Sequence, residues 1–343
     1  MKKLGFFNTI VFGVNGIFAL LLLLASCAQY LPPKQFAALS LLSLAVSPLV
    51  LINIAFFGYW LLRKRRHAWL SFLMLSATFF LSKTALRLSA PEATTTSEAS
   101  LGILSFNVRL FNAYEESPKE DPKKVIASLL ETYHPDVVLL QEFYREHQVS
   151  FSAYPFRYIH FKEKNILGHA IFSKYPLHHT GAFNFSNTYN NSLYADVVKG
   201  QDTIRLYNLH LQSMGVMPSV EYIQEGNTER MLRRMTVNFK KQQAQIEQIL
   251  SHAETSPYPT ILAGDFNNTR HSYIYRQVAE RYTDAFKEKG SGLGTTFSFD
   301  SYPLRIDYIF TSSDFEVTGF KNITETFSDH NPIYAQLSCC RSK

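Results

Sequence analysis

The sequence predicts a layered α/β domain from residue 101 to the C-terminus, placed behind an N-terminal segment of three apolar helices over residues 1–90. Three observations predict it. Runs of four to eight Val, Ile, Leu and Phe residues recur through the second part at strand length, only two stretches there have clear helical spacing, and the longest apolar runs of the chain all precede residue 91. Strands outnumbering helices, with connections of varied length, point to stacked layers rather than to a doubly wound sheet or an eight-fold barrel.

Residues 10–31, with Leu20 to Leu24 unbroken, are long enough for one helical span of about 20 apolar residues. A second span covers 36–62, interrupted by Pro48 and Asn53, which a helix packed against neighbours tolerates. The third, 67–88, is clean only to Leu81, and Lys83 and Arg87 must snorkel for it to cross. Lys2, Lys3 and the cluster Arg63 to Arg66 lie on one side of this pattern and only Lys34 on the other, so the positive-inside rule places the N-terminus and the cluster in the cytoplasm. With the third segment spanning, the α/β part lies outside the cytoplasmic membrane, the periplasmic side if that membrane is a bacterial inner membrane; with that segment on the surface, it is cytoplasmic. The first arrangement is preferred, because two helices give a third something to pack against. Leu24-Ala25-Ser26-Cys27 also fits a lipoprotein lipidation box, but the equally apolar segments that follow favour a cysteine within a transmembrane helix. Residues 91–100, small and polar with Thr94 to Thr96, read as a linker.

Charge follows the same division. The chain carries +6 overall, yet nine of its 34 Lys and Arg and none of its 28 Asp and Glu fall before residue 91, so the remainder is slightly acidic. That argues against a tight duplex binder, whose affinity comes largely from phosphate contacts. Three cysteines, Cys27 and the adjacent Cys339 and Cys340, exclude a disulfide framework or a zinc site of usual spacing.

In the α/β part the strands are expected at Leu101 to Val108, Val137 to Gln141, His169 to Phe172, Tyr194 to Val198, Ile204 to Leu211, Thr260 to Ala263, Arg305 to Phe310 and Ile333 to Leu337, with helices at Pro122 to Tyr133 and Thr228 to Ala253. Polar residues gather just past the strand ends: Asn107, Gln141-Glu142, His210, Asp265-Phe266-Asn267, Asp307 and Ser328-Asp329-His330. Singly, each has an ordinary structural explanation as a turn cap, an exposed strand end or a satisfied core histidine. Together they supply carboxylates, amides and imidazoles with no nucleophilic Ser or Cys signature and no Gly-rich phosphate loop. That set suits a hard, oxygen-liganded cation such as Mg2+ or Mn2+, whose remaining ligands are waters and phosphate oxygens.

On these residues the chain resembles the endonuclease/exonuclease/phosphatase superfamily, the group of DNase I, exonuclease III, inositol polyphosphate 5-phosphatases and neutral sphingomyelinases. The resemblance covers Leu101 to Leu337 and rests on Ser105-Phe106-Asn107, Pro135 to Glu142, Ala170 to Pro176, Asn208-Leu209-His210, Gly264-Asp265-Phe266-Asn267, Arg305 to Ile309 and Ser328-Asp329-His330, in the family's order. It implies a four-layer α/β/β/α sandwich with a metal site at one end and hydrolysis of a phosphoester by activated water. It implies Glu142 as principal metal ligand with Asn107 beside it, Asp265 orienting or deprotonating the water, Asn267 on a non-bridging phosphate oxygen, and His210 and His330 binding the phosphate. Neighbours on an extended segment point to opposite faces, so Asp307 rather than Asp329 should orient His330, leaving Asp329 to the metal or the leaving group. Arg109, Arg305, His169 and Asn191 are further candidates for substrate contact, whereas His134, His178, His179 and His271 read as ordinary loop residues. The substrate class, nucleic acid, phospholipid headgroup or small phosphoester, stays undecided. No obligate protein partner is expected; the contrasting reading is a membrane-bound interaction protein that keeps the fold without turnover.

Overall fold

The structure, a computed structural model, describes residues 4–82, 100–115, 120–163, 165–215, 227–300 and 302–338. Lys2, Lys3, Lys83, Arg87, the linker at 91–99, Cys339 and Cys340 lie outside the described residues.

Three apolar helices, α1 (Phe6–Cys27), α3 (Val46–Leu62) and α4 (Ala68–Leu81), pack together. Their few polar side chains pair across the contacts: Ser71 donates to Asn15 Oδ1 at 2.8 Å, Ser26 meets Thr78 at 2.8 Å, and Asn53 donates to the Phe18 carbonyl at 3.2 Å. These pairs fix α1 and α4 parallel and α3 antiparallel to both. The second expected span is not one continuous helix. A short helix α2 (Pro33–Ser40), non-helical at Phe36, and a tight 3-10 stretch (Leu41–Ala45) precede α3. Pro48 therefore sits in the first turn of α3, where a missing N–H costs nothing, instead of interrupting a helix. α2 docks on the α/β part instead.

That part holds two six-stranded sheets, with strands numbered in chain order. The first runs β13 (Glu316–Asn322), β14 (Ile333–Ser338), β1 (Ser100–Asn107), β2 (Val137–Tyr144), β4 (Leu167–Ser173), β3 (Phe156–Phe161). The second runs β5 (Leu177–Ala182), β6 (Leu193–Lys199), β7 (Asp202–His210), β8 (Thr260–Asp265), β12 (Asp307–Thr311), β9 (Thr283–Asp284). Both are mixed: β1 with β2 and β7 with β8 pair in parallel, and the other neighbours are antiparallel.

Side-chain alternation builds the layers. Leu101, Ile103, Val137 and Leu139 face Ile204, Leu206, Ile261 and Ala263 between the sheets. The intervening residues Leu104, Phe106, Val138 and Leu140 face outward onto Ile126 and Leu129 of α5 (Pro122–Tyr133), while Tyr207, Leu209 and Leu262 meet Ile246 and Ile249 of α6 (Thr228–Glu254). Each fully buried aliphatic side chain stabilises this arrangement by about 1.5–3 kcal/mol. Both helices start where the sequence caps them, with the Asp121 side chain accepting from Lys123 N and Asn227 from Arg230 N. The result is the expected four-layer sandwich. Strands β3, β5 and β13, absent from the sequence reading, lie at or near sheet edges, where half-exposed side chains leave no apolar run to recognise.

Two short helices, α7 (Tyr273–Ala279) and α8 (Ala285–Lys289), and the hairpin β10–β11 (Phe297–Phe299, Tyr302–Leu304) complete the domain. The helical bundle rests on this side. Lys34 of α2 donates its backbone N–H to Gln243 Oε1 of α6 at 2.7 Å and pairs with Glu247. Arg276 of α7 lies 3.8 Å from the Tyr30 ring centroid, and Thr269 and His271 reach Ser43 and Ser82.

Candidate active site

The inward-facing positions that are aliphatic in the middle of the sandwich turn polar at one end of it. On β1 the series Leu101, Ile103 continues to Ser105, Asn107; on β2, Val137, Leu139 leads to Gln141; on β7, Ile204, Leu206 leads to Asn208, His210; on β8, Ile261, Ala263 leads to Asp265; and β12 begins with Asp307 before Ile309. All these polar residues are buried. Glu142 breaks the alternation. Its φ of 52° lies in the left-handed region at a bulge, where the β2–β4 register shifts between Leu140 and Phe143. The bulge turns its side chain to the same end as Gln141. Gly264 is obligatory: at φ 138°, an added Cβ would stand 2.0 Å from the Leu209 carbonyl oxygen, which the close β7–β8 pairing brings there.

At this end Asn107 Nδ2 donates to Asp265 Oδ2 at 3.1 Å and approaches Glu142 Oε1 at 3.4 Å. Its own Oδ1 accepts from Arg109 N, so the amide stands between two carboxylates as a donor. His330 Nδ1 donates to Asp307 Oδ2 at 2.9 Å, and its Nε2 lies 3.8 Å from Asp265 Oδ2. The loop is pinned to β1 by Ser328 Oγ, which donates to the Asn107 carbonyl at 2.8 Å. Thr296 Oγ1 accepts the backbone N–H of Ile306 and Asp307, fixing the start of β12. His210 Nε2 faces Glu142 and Asp265, 3.7 Å from an oxygen of each.

Environment separates the titrating groups. Burial works against a charge on His330, yet Asp307 and Asp265 outweigh it and hold the imidazole up to about 10. Burial, with no carboxylate bonded to the ring, drives His210 well below its ordinary value, and His169 and His330 push the same way. Asp265 is pushed up to about 8, first by burial and then by Asp307, against the pull of His330. Burial also raises Glu142, with Asp329 adding to it and His330, Asn107 and Arg109 opposing.

Glu142 and Asp329 supply carboxylate oxygens at this rim, with Asn107 beside them, and Asp329 adds to the cost of ionising Glu142, the condition a divalent cation relieves. Asp265, Asp307 and His330 also lie close enough together to be considered as ligands. Their hydrogen bonds argue otherwise, because His330 Nδ1 is held by Asp307 and Asp265 accepts from Asn267 N and from two amide side chains.

The sequence candidates thus divide. His210, Asp265, Asp307, His330, Asn107, Glu142 and Asp329 converge. Asn267 is present too, but its Nδ2 donates to Leu211 O and Asp265 Oδ2, which makes it a positioning group for Asp265. Arg109 stands at the edge, 2.5 Å from Glu115 and 3.8 Å from Asp329. His169 lies behind His210, its Nε2 3.0 Å from His210 Nδ1, and burial drives it down to about 3. Three expectations need correcting. Arg305 points away from the site into a buried bidentate pair with Asp284 at 2.7 and 3.2 Å, since a buried guanidinium needs a carboxylate. Asn191 closes a turn with Asn184 and Ser192. Its neighbour Asn190 is the one that reaches His210 Nε2, at 2.7 Å. His271 is no ordinary loop residue either, being buried against the helical bundle. From His210 and Glu142 a cleft of about 1010 Å³ extends past Asn190 to Lys162 and Asn165.

The profile of the Endonuclease/Exonuclease/phosphatase family matches residues 104–330. The chain belongs to this family. A second profile, a domain of unknown function (DUF8431), matches residues 8–84, the helical bundle. No curated protein matches the chain in sequence. Among solved structures it is similar to an endonuclease/exonuclease/phosphatase from Beutenbergia cavernae DSM 12333 (17% identity, 71% of this chain and 72% of that one, TM-score 0.52). It is also similar to the human Nocturnin catalytic domain with bound sulfate anion (17%, 71% and 96%, TM-score 0.53) and to D. rerio TDP2 complexed with single-strand DNA product (18%, 70% and 99%, TM-score 0.52). These similarities place the family's fold on the two sheets. Members of the family generally act on phosphoesters and use divalent metals.

Proposed function

We propose that the chain is a membrane-anchored phosphoesterase, dependent on Mg2+ or Mn2+, that hydrolyses a phosphodiester or phosphomonoester by in-line attack of water. The observation that carries this reading is the Asp307–His330 pair, whose free Nε2 shares one buried point with Asp265, His210 and Glu142. Asp265, raised toward the working pH, accepts the proton of the attacking water as the new P–O bond forms. Cationic His330 and the donors of Asn190 and Asn107 face the charge that builds on the phosphoryl oxygens, in a site that needs no reorganisation to meet it. The departing oxygen takes its proton from solvent. Glu142 and Asp329, with Asn107 beside them, would hold the cation, which supplies Lewis-acid stabilisation of the same charge.

Membrane anchoring is supported by the bundle. Phe6–Tyr30 is long and apolar enough to cross, the apolar helices Val46–Leu62 and Ala68–Leu81 pack beside it, and Leu20, Leu51 and Phe80 are exposed on the outside. Because α1 and α4 run parallel and α3 opposite, the turn carrying Arg63 to Arg66 lies at the far end from the catalytic domain. With that turn cytoplasmic, the domain is extracytoplasmic.

Full-length protein in detergent micelles should hydrolyse bis-p-nitrophenyl phosphate or p-nitrophenyl phosphate with Mg2+ or Mn2+ and stop with chelator. Glu142→Gln should lower turnover on the order of 100-fold or more. Turnover indifferent to chelator and to Glu142→Gln on either ester would overturn the metal-dependent reading. Inert protein across nucleic acid, lipid and small esters would favour the non-catalytic alternative.

A further inference from the structure

Where the bundle meets the catalytic domain there is a second cavity, of about 510 Å³. One wall is Val50 and Leu51 of α3 with Leu75 and Phe79 of α4; the other is the segment around Arg270 and Leu304 of the hairpin. Leu51 and Phe79 are also exposed on the outside of the bundle, so this wall continues the apolar surface that the anchor presents to its surroundings. The opposite wall carries a cation. Arg270 is partly buried, makes one side-chain hydrogen bond, from Nε to His271 Nε2 at 3.4 Å, and has no carboxylate within ion-pair distance among the described residues. Its neighbour Arg305 already takes both oxygens of Asp284. Burying a guanidinium without a counter-charge is costly, and an anion is what this wall lacks.

An apolar pocket that continues a membrane-facing surface and ends at a guanidinium with no carboxylate partner among the described residues matches one kind of molecule, an acyl chain carrying an anionic headgroup. We propose that this cavity binds one acyl chain of an anionic membrane phospholipid, with the headgroup phosphate at Arg270. The site lies beside the catalytic centre and touches it through two segments. The chain from Asp265 and Asn267 runs directly into Thr269 and Arg270. Across the hairpin, Leu304 pairs with Phe297, whose ring lies 4.9 Å from that of His330. Lipid bound here packs against the backs of both segments that position catalytic groups.

The inference rests on the membrane-anchor reading, and the test separates the two. Full-length protein is reconstituted in phosphatidylcholine vesicles holding a trace of phosphatidylglycerol, or of phosphatidylcholine, with a photoactivatable group at the acyl terminus, and crosslinked peptides are mapped. Crosslinks are expected on the peptides around Thr269 and Leu304, about fivefold more from phosphatidylglycerol, the difference one basic side chain confers. Arg270→Gln should remove that preference while leaving crosslinks. Val50→Trp and Leu75→Trp, which fill the cavity from two different helices, should each remove the crosslinks, with vesicle flotation and circular dichroism as controls of folding. Flotation with crosslinks confined to outward residues such as Leu20 and Phe80 overturns the site and leaves the anchor standing. Equal labelling by both lipids in the wild type overturns the role of Arg270. Failure to float overturns anchor and site together.

Discussion

The helical bundle and the polar end of the sandwich both bury polar side chains in apolar surroundings, but they do so differently. In the bundle Asn15 meets Ser71, Ser26 meets Thr78 and Asn53 meets a carbonyl, each a local neutral pair joining two helices. At the end of the sandwich Asn107, Glu142, His210, Asp265, Asp307 and His330 come from separate strands and loops to one point, and most of them can titrate. Buried polarity that pairs two neighbouring helices specifies packing. Buried polarity that converges with titrating groups is where chemistry is to be sought.

The comparison is broken most forcefully by removing a converging group. His330→Ala should lower kcat on the order of 10³-fold on whichever ester is turned over, with thermal stability changed far less than activity. A loss below tenfold would mean the convergence is structural after all.

His271 tests the junction between the two regions. Burial, with Arg270, Arg305 and Lys287 nearby, drives it down to about 3, so the folded protein holds it neutral where the unfolded chain, near 6.5, takes up a proton. The unfolded state then binds more protons, and this residue's contribution is complete above 6.5 and is lost as pH falls toward 3. Relative to its own stability at pH 8, His271→Gln should lose less on acidification to pH 4.5, by about 2 kcal/mol. Parallel curves from denaturant melts of the two proteins would show that the junction tolerates the charge.

Adjacent asparagines sharpen the contrast at residue scale. Asn190→Ala should reduce turnover about tenfold by releasing His210, whereas Asn191→Ala should cost about 1 kcal/mol of stability with turnover kept. Steady-state kinetics beside melting curves decide it; the reverse pattern would exchange their roles. The smallest effect is expected in the bundle, where Asn15→Ala should destabilise by about 0.6 kcal/mol and leave kcat unchanged.

The sequence by itself determined the strands of the sandwich interior, because residues buried on both faces read as unbroken Val, Ile and Leu runs, as in Val137 to Leu140. It marked the converging polar set as well, since Asn107, Gln141, His210, Asp265 and Asp307 interrupt those runs in register with the inward face. Edge strands such as β5 carry no such run and became visible only when paired. Tertiary structure alone decided between Asn190 and Asn191, because a loop has no period to say which of two neighbours turns inward. It also took Arg305 out of the site, since its partner Asp284 is 21 residues away and nothing local announces the pair. The break at Phe36 and the burial of His271 arise from the docking of two separately patterned regions, and no periodicity within either one encodes a contact between them.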